Sequence, residues 1–400
     1  MMPRDRGGPL AGVRVVELTK VWAGPYVGKL LAYLGAEVIR VESLGSLDVT
    51  RVYGVDDMNN APGFQSVNPQ KLSVQIDMKQ PEGVKLILDL LAKSDMLVEN
   101  LRPGAVRRLG LGYDVVKQSR PDIVYVSMGM YGSEGPLAYQ TGYAPCFAAL
   151  GGVSGRVGYE NEPPSGMNVR YADSTFGAAA AYAATVALLH RRRSGQGQFI
   201  DVSAVESMTS MIGDELVGHA MGQVLRADGN RHPDMAPHGV YPCRDGEWIS
   251  LAATTDAAWA ALAGAMEQPA LATDARFADL PARKAHESEL DALIGAWTAR
   301  RDAAQAAAWL QRHGIAAAKS QSSVDLVSDP HLWARGFYRE LRQPDGSSKL
   351  TVGPSWKMTR EAAIEDGAPH LGQHNAYVFA EILGLDAEEQ SRLAAAGVAR

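Results

Sequence analysis

The opening segment of the chain, residues 13–43, most strongly constrains what this protein can fold into. It reads VRVVELTKVWAGPYVGKLLAYLGAEVIRVES, in which two runs rich in β-branched residues flank a helical stretch. Pro25 suits the first turn of that helix, and Gly35 occupies the position of a C′ glycine that ends it. Two strands joined by a crossover helix run parallel. The segment therefore predicts a parallel sheet covered by helices.

The same alternation recurs further along the chain. We predict a helix in QPEGVKLILDLLAKSD, strands in MLVEN and IVYVSMGM, and a short helix between those strands. Residues 174–193 predict a long helix whose last turn carries three arginines, which complement the helix dipole. The next stretch, QFIDVS, predicts another strand. The fold class that we expect is α/β, with an open, parallel, Rossmann-like sheet.

A change of composition predicts a second domain. The polar stretch RADGNRHPD, residues 226–234, is typical of a linker, and alanine-rich helical segments follow it. We assign residues 1–225 to the first part of a large α/β domain and residues 226–330 to a smaller inserted α+β domain with its linkers. Residues 331–400 are expected to return to the large domain.

Bulk composition argues against several classes of function. The net charge is −6, with 46% hydrophobic and 21% charged residues, so neither general nucleic-acid binding nor a membrane-surface role is expected. We find no signal-peptide pattern at the start and no run approaching the roughly 20 apolar residues of a membrane span. Cys146 and Cys243 form neither a CxxC pair nor a disulfide framework. We expect a cytoplasmic protein without a metal site.

Asp173 raises the central question of the sequence, because it stands directly before the predicted helix of small apolar residues. The stretch RYADSTFGAAAAYAA runs from Arg170 to Ala184. Asp is a favoured N-cap, worth about 0.5–2 kcal/mol over Ala. Ser174 and Thr175 could fill the same role, so a cap does not require Asp173. On spacing alone, a helix cap and a reactive carboxylate both remain open.

Three other chemistries find little support in the sequence. The turn after the first strand, TKVWAGPYVG, lacks the closely spaced glycines of a dinucleotide-binding turn. His232, Asp234 and His238 lie in a proline-containing connection rather than at the helical spacing of a zinc site, and we interpret them as a structured loop. No Gly-x-Ser-x-Gly elbow supports a serine hydrolase.

Basic residues follow two of the predicted strands. Arg102, Arg107 and Arg108 come after MLVEN, and Lys79 comes after LSVQIDM. Ligands of open α/β sheets gather at the carboxyl ends of strands, where such cations can pair with phosphates. A solvated basic surface explains the same spacing equally well.

Seven stretches together resemble the family III CoA-transferases, whose superfamily includes carnitine, bile-acid and formyl-CoA transferases and α-methylacyl-CoA racemase. The resemblance spans nearly the whole chain and depends on the order and spacing of these stretches. They are LAGVRVVELTKVWAGPYVGKLLAYLGAEVIRVE, IDMKQPEG, LVENLRPGAVRRLGLGYD, PDIVYVSMGMYGSEGPLAYQTGY, ADSTFG, RRRSGQGQFIDVS and APHLGQHN.

The resemblance implies a fold, an assembly and a reaction. The large α/β domain would combine N- and C-terminal segments around the inserted smaller domain, in a homodimer interlocked like rings of a chain. The family's nucleophilic aspartate falls in ADSTFG, hence Asp173, which is ionised at pH 7 at its ordinary pKa of about 3.9. CoA would pass from an acyl-CoA donor to a free carboxylic acid through aspartyl anhydride and aspartyl-CoA thioester intermediates. The CoA thioester is then a substrate, with no tightly bound cofactor.

The resemblance also assigns contacts with the substrate and CoA. It favours the phosphate interpretation of Lys79 and Arg108. The full set of assigned residues is Trp22, Ala23, Ile76, Met78, Lys79, Asn100, Leu101, Arg102, Arg108, Gln140 and Tyr143.

The chain departs from the family pattern at two positions. Trp22 stands where oxalate-using members carry a glutamine, which argues against oxalate or formate specificity. Ala144 stands where many members carry an acidic residue. Racemases of the superfamily need an acid–base pair in a GHD motif, which is Gly142-Tyr143-Ala144 here. An acyl-CoA racemase or epimerase and a catalytically altered acyl-CoA-binding homologue are the alternative functions.

Overall fold

The computed structural model describes residues 5–159, 161–166, 169–223, 227 and 229–399. The chain divides into two compact units. Unit 1 consists of Met1–Ser154, Gly166–Gln223 and His331–Arg400, and unit 2 consists of Gly155–Ser165 and Val224–Pro330.

Strands and helices alternate through most of unit 1, whereas helices dominate unit 2. The strands are β1 (Arg14–Leu18), β2 (Glu37–Glu42), β3 (Leu72–Gln75), β4 (Met96–Glu99), β5 (Val124–Gly129), β6 (Gln198–Ser203), β7 (His238–Pro242), β8 (Trp248–Ala252), β9 (Ala316–Lys319), β10 (Tyr338–Arg342) and β11 (Ser348–Val352). The α-helices are α1 (Ala23–Tyr33), α2 (Val49–Val52), α3 (Pro62–Val67), α4 (Pro81–Ala92), α5 (Ala105–Arg108), α6 (Tyr113–Ser119), α7 (Ala144–Leu150), α8 (Val169–Ser194), α9 (Ala204–Thr209), α10 (Gly213–Ala220), α11 (Asp256–Ala265), α12 (Leu280–Ala285), α13 (Glu287–Thr298), α14 (Ala303–Arg312), α15 (Ser323–Ser328), α16 (Pro330–Ala334) and α17 (Ala387–Ala395). A π-helical segment spans Tyr377–Leu383.

A six-stranded parallel sheet forms the centre of unit 1, as the opening segment predicts. Its order is β3-β2-β1-β4-β5-β6. The chain moves outward from β1 to β3 and then returns to β4 on the other side of β1, so the order reverses between β1 and β4. Open α/β sheets bind their ligands at such a point, beyond the carboxyl ends of the strands.

Each face of this sheet buries its own hydrophobic core. Successive strand residues point to opposite faces, so Val15 packs with Leu31 of α1 and Ala180 of α8. Its neighbour Val16 packs with Ile87 of α4 on the other face. The helices α1 and α8 therefore share one face of the sheet. Gly35 has a φ of 103°, which confirms it as the residue that ends α1.

The C-terminal segment covers the outer side of the edge strand β3. Ser73 donates its N–H to His374 Nδ1 (3.1 Å), and His374 returns its own N–H to the Ser73 carbonyl (2.9 Å). Gln75 donates its N–H to Asn375 Oδ1 (2.9 Å). Burial lowers the pKa of His374 to about 4, so a neutral imidazole accepts the hydrogen bond. His374 and Asn375 thus form hydrogen bonds with the backbone of β3, an edge strand whose backbone groups would otherwise be unpaired on this side.

Helix α8 begins five residues earlier than predicted, at Val169 rather than at Ser174. Asp173 therefore lies inside the helix, and the interpretation of it as an N-cap is wrong. By length and composition alone Arg170–Ser194 could cross a membrane, as many core helices could. It contains a longer apolar stretch than our sequence analysis allowed, and it packs against α1, β5 and β6.

Unit 2 is built around a small antiparallel sheet of order β7-β8-β9. Its core includes Trp259, Leu290 and Leu310 from three helices. Residues 155–165, which the sequence-based boundaries put in the large domain, group with this unit. One reason is that Gly229 donates its N–H to the Gly158 carbonyl (3.0 Å).

Candidate active site

The turn between β1 and α1 lies where the order of the sheet reverses. Leu18 at the end of β1 pairs with Glu99 at the end of β4, so the residues that follow them are neighbours. Asn100 binds the turn through both ends of its amide, accepting from the Lys20 N–H (2.7 Å) and donating to the Lys20 carbonyl (2.9 Å). The predicted residue Asn100 therefore shapes the turn that carries Trp22.

Val21, just before Trp22, has a backbone conformation that is costly for a β-branched residue. Its φ is 68°, in the left-handed region that Val rarely enters. The Val21 N–H donates to both carboxylate oxygens of Asp48 (3.1 Å each). Asp48 is in turn paired with Arg40 (2.5 Å). A buried ion pair thus holds the strained turn in place.

That ion pair belongs to a buried network that sequence reasoning missed. Arg40 contacts Glu17 (2.7 Å) and Glu42 (3.3 Å) as well as Asp48, while Lys71 pairs with Glu17 (2.8 Å) and Arg51 with Glu42 (2.7 Å). Against the effect of burial, Arg40 and Arg51 lower the pKa of Glu42 to about 2. The sequence signal that could have revealed this network is the presence of the charged residues Glu17, Arg40 and Glu42 within strands that are otherwise mostly apolar.

Helix α8 brings Asp173 close to the strained turn. A Cβ on Gly177, one turn after Asp173, would lie 2.7 Å from the Ala23 carbonyl oxygen and 3.1 Å from the Tyr26 ring. Glycine therefore permits the close approach of α8 to α1. One residue after Asp173, the Ser174 hydroxyl accepts a hydrogen bond from Trp22 Nε1 (3.2 Å). The structure thus brings together Trp22, Ala23 and the region of Asp173.

The carboxylate of Asp173 is largely withdrawn from water, with the residue only 9% exposed. Among the described residues, no hydrogen bond or ion pair compensates its charge. Burial consequently raises its pKa from 3.8 to about 6. At pH 7 such a group is mostly ionised and weakly solvated, two properties that favour reaction as a nucleophile.

An open depression lies on the more exposed side of α8. Its volume is about 560 Å³, and it is lined by Arg170, Tyr171, Ser174, Thr175 and Ala178. Asp173 does not line this depression, because its side chain leaves α8 on the side of the buried residues Phe176 and Ala180. The Arg170 guanidinium stands over the Trp22 ring, with Cζ 5.1 Å from the ring centroid.

A second cavity, of about 370 Å³, lies beyond the carboxyl ends of β2 and β3. Ile76 is among its lining residues, together with Ser43 and Gly397. Lys79 is exposed and donates to the Gly45 carbonyl (3.4 Å). Of the CoA contacts predicted in this segment, Ile76 lines the cavity. Met78 lies two residues later on the same loop and is not among the lining residues.

The remaining predicted contacts follow β4 or precede α7, and none has a described link to Asp173. Arg102 and Arg108 are exposed after β4, and Arg108 donates to the nearby Pro103 carbonyl (3.4 Å). Leu101 donates its N–H to Glu99 (3.0 Å), and Gln140 contacts Tyr139 (3.3 Å). Tyr143 is 66% exposed and precedes α7.

Ala144, the other departure from the family pattern, is buried in an apolar cluster with Phe147 and Phe176. A carboxylate at this position would be costly to bury. Its replacement by alanine therefore fits the local packing.

The histidines of the linker form a structured loop within unit 2. The rings of His232 and His238 have centroids 5.4 Å apart, and His238 Nδ1 hydrogen-bonds to the Asn230 carbonyl oxygen (2.6 Å). In the part of the chain that the structure describes, no cluster of three His, Cys, Asp or Glu residues suits a metal ion.

The sequence of the chain is similar to those of known proteins. The sequence model for CoA-transferase family III matches residues 10–375. Succinyl-CoA–D-citramalate CoA-transferase from Chloroflexus aurantiacus is 37% identical, with 97% of each chain covered. Succinyl-CoA:glutarate CoA-transferase from Mus musculus is 30% identical, covering 98% of this chain and 91% of the relative.

A solved structure shows the same fold. The crystal structure of a CAIB/BAIF family protein from Brucella suis superposes with a TM-score of 0.86 at 30% identity, covering 94% of this chain and all of the other. With the family match over most of the chain, these likenesses confirm the expected fold class. The chain belongs to CoA-transferase family III and is a CoA-transferase.

Proposed function

We propose that Asp173 is the nucleophile of this CoA-transferase and carries both the acyl group and CoA in turn. The observation behind the proposal is a carboxylate that is nearly buried, uncompensated by any described partner, and close to the Trp22 turn at the reversal point of the sheet. A carboxylate held for structural reasons normally has hydrogen-bond or ionic partners. Perturbed groups of this kind concentrate at reactive sites.

The first half of the reaction loads Asp173. Its carboxylate oxygen attacks the thioester carbonyl of the donor, the C–S bond breaks, and CoA leaves as a thiolate from a mixed anhydride. The thiolate then attacks the Asp173 carbonyl of that anhydride. The anhydride C–O bond breaks, the donor acid leaves as a carboxylate, and Asp173 holds CoA as a thioester.

The second half unloads Asp173 by the same steps in reverse. The acceptor carboxylate attacks the aspartyl thioester, releasing CoA thiolate and forming a new mixed anhydride. The thiolate attacks the acceptor's carbonyl, and Asp173 leaves as a free carboxylate. No net proton is exchanged, and the thioester bond energy passes to the acceptor. The burial of Asp173 serves this chemistry because water would hydrolyse either intermediate.

For CoA itself, we propose binding along the carboxyl edge of the sheet. The second cavity, at Ile76, suits the adenosine end, and the exposed cations Lys79 and Arg108 suit the phosphates. The Arg108→Gln variant should raise the KM for acyl-CoA about tenfold. Lys117→Gln, which removes an exposed cation on α6 that has no assigned binding role, is the control and should leave the KM unchanged.

The named relatives use succinyl-CoA, and we propose it as the donor to test first. After incubation with succinyl-CoA, hydroxylamine should convert Asp173 into a hydroxamate that peptide mass spectrometry locates. The Asp173→Asn variant should show neither hydroxamate nor transfer while still binding CoA in calorimetry. Unchanged turnover in that variant would exclude Asp173 as the nucleophile. Hydrogen exchange at the acyl α-carbon without any acceptor acid would instead favour a racemase.

We also propose that the chain forms a homodimer. Support comes from a stripe of large apolar side chains on α8, where Tyr182, Val186 and Leu189 are 74%, 47% and 49% exposed. Contiguous apolar surface of this kind commonly marks a protein interface. Light scattering after size-exclusion chromatography should give twice the mass of the 42.8 kDa chain, and a mass of one chain would contradict the proposal.

A further inference from the structure

We propose that the turn after α17, residues 396–398, forms one wall of the subsite for the CoA nucleotide, and that Ala396 determines how well the base fits there. This inference rests on the proposed function, because it takes the second cavity as the site of the nucleotide end of CoA. Neither our sequence analysis nor the comparison with known proteins assigned a role to this turn.

Three segments that lie far apart in the sequence line the second cavity. Residues 43–45 follow β2, and the loop that contains Ile76 follows β3. The third segment is the turn after α17, which contributes residues 396–398. The volume of about 370 Å³ lies within the range of about 300–1,000 Å³ that is typical of small-molecule sites. Strand ends alone, where ligands of open α/β sheets bind, therefore do not complete this site.

Hydrogen bonds hold the turn against the loop after β3. Asp77 donates its N–H to the Val398 carbonyl (2.8 Å), and the side-chain amide of Gln80 donates to the Gly397 carbonyl (3.1 Å). Val398 is buried in the same core as Ile76. The turn consequently has a fixed position relative to the loop, as the wall of a binding site requires.

The charges around the cavity indicate which part of the nucleotide enters it. Asp77 lines the cavity with a carboxylate, which repels a phosphate. Lys79 is exposed, and its ammonium lies 3.4 Å from the carbonyl oxygen of Gly45, another lining residue. A neutral adenine, with its amino donor, suits the interior, whereas the phosphates suit the surface at Lys79. The base is therefore the part of CoA that contacts the turn.

Ala396 is the position in this wall where the space for the base can be changed. It lines the cavity at the C-cap of α17 and is exposed, so a larger side chain there leaves the core intact. A tryptophan at this position would compete with the base for the cavity. Gly45 offers the same test from the segment after β2, because a Cβ added there would meet no atom within 4 Å.

The experiment compares a donor that has the nucleotide with one that lacks it. Exchange of labelled succinate is measured into succinyl-CoA and into succinyl-pantetheine, which keeps the thioester without the nucleotide. In Ala396→Trp, kcat/KM for succinyl-CoA should fall about tenfold or more, because binding energy from the remote nucleotide is lost. For succinyl-pantetheine, kcat/KM should stay within about twofold of wild type. That second value also shows that the variant is folded and that its chemistry at Asp173 is intact.

Two further variants complete the test. Gly45→Trp should give the same selective loss with succinyl-CoA. Ala395→Trp is the matched control, because Ala395 is an exposed alanine next to Ala396 that is not among the residues lining the cavity. It should leave kcat/KM unchanged for both donors.

Several results would overturn the role of the turn. These are a selective loss in Gly45→Trp but not in Ala396→Trp, an equal loss with both donors in Ala396→Trp, and the same selective loss in Ala395→Trp. A lack of any selective loss in both cavity variants would place the base elsewhere and overturn the proposal as well. If the wild-type protein exchanged succinate into neither donor, the proposed function itself would fail.

Discussion

Replacing Asp173 by Asn should stabilise the folded protein at neutral pH while abolishing transfer. The carboxylate is almost buried and has no described partner for its charge. Asn has nearly the same shape and carries no charge, so it removes the cost of burying an ion and leaves the packing similar. Most substitutions of buried polar residues destabilise a protein, which makes a gain in stability a distinctive outcome.

The size of the gain follows from the pKa of Asp173. Burial raises this pKa from 3.8 to about 6, and each tenfold difference in proton binding is worth 1.36 kcal/mol. The folded chain therefore binds the proton more tightly than the unfolded chain, by about 3 kcal/mol. Ionisation costs the folded state that amount above pH 6, and the cost disappears as pH falls below 4. The variant should gain up to about 3 kcal/mol at pH 7 and roughly half of that at pH 5.

Urea denaturation of the wild-type and variant proteins at pH 7 and pH 5 measures both the gain and its pH dependence. The control is Asp56→Asn, an exposed aspartate in the loop between α2 and α3, which should change the free energy of unfolding by less than about 0.5 kcal/mol. A loss of stability in Asp173→Asn at pH 7, or a gain that does not diminish at pH 5, would refute the reasoning.

Three further predictions rest on the same region. The rate at which the acylated enzyme forms in a single turnover should fall about tenfold for each pH unit below 6, because protonated Asp173 is not a nucleophile. Rapid-quench measurements would show this fall, and a rate that does not change between pH 5 and 7 would contradict it. Gly177→Ala should cost about 1–3 kcal/mol in urea denaturation, since its Cβ would meet the Ala23 carbonyl, whereas Gly295→Ala has open space in α13 and should be neutral or stabilising. Asp48→Asn should cost about 3–5 kcal/mol, because it leaves a buried arginine without one of its anions, and calorimetry showing unchanged stability would contradict this.

Local patterns predicted the parallel sheet well. The β-branched runs around Pro25 and Gly35 specify a strand, a helix and a second strand almost to the residue. The start of α8 was mispredicted because Asp173, Ser174 and Thr175 are typical cap residues, yet packing of the helix against α1 continues it back to Val169. Tertiary contacts decided that boundary, and no local signal reports them.

The candidate site was only partly accessible from the sequence. The family resemblance identified Asp173, Trp22 and Asn100, which the fold brings to the reversal point of the sheet. Asp48 and the buried charges paired with it were missed, because their contacts depend on neighbours far along the chain. For instance, the Asp48 carboxylate accepts a hydrogen bond from the N–H of Val21, which lies 27 residues earlier in the chain. Such partners appear only once the strand order is known.

The strained conformation of Val21 has a consequence for anyone who tries to make this enzyme more robust. A ranking of substitutions by folding free energy would place glycine at Val21 near the top, because glycine adopts a φ of 68° without cost. The hydrogen bonds of the turn to Asp48 and Asn100 would persist, but glycine would also widen the range of backbone conformations open to the turn that carries Trp22. A thermostability screen of this enzyme should therefore measure the activity of any variant selected at Val21.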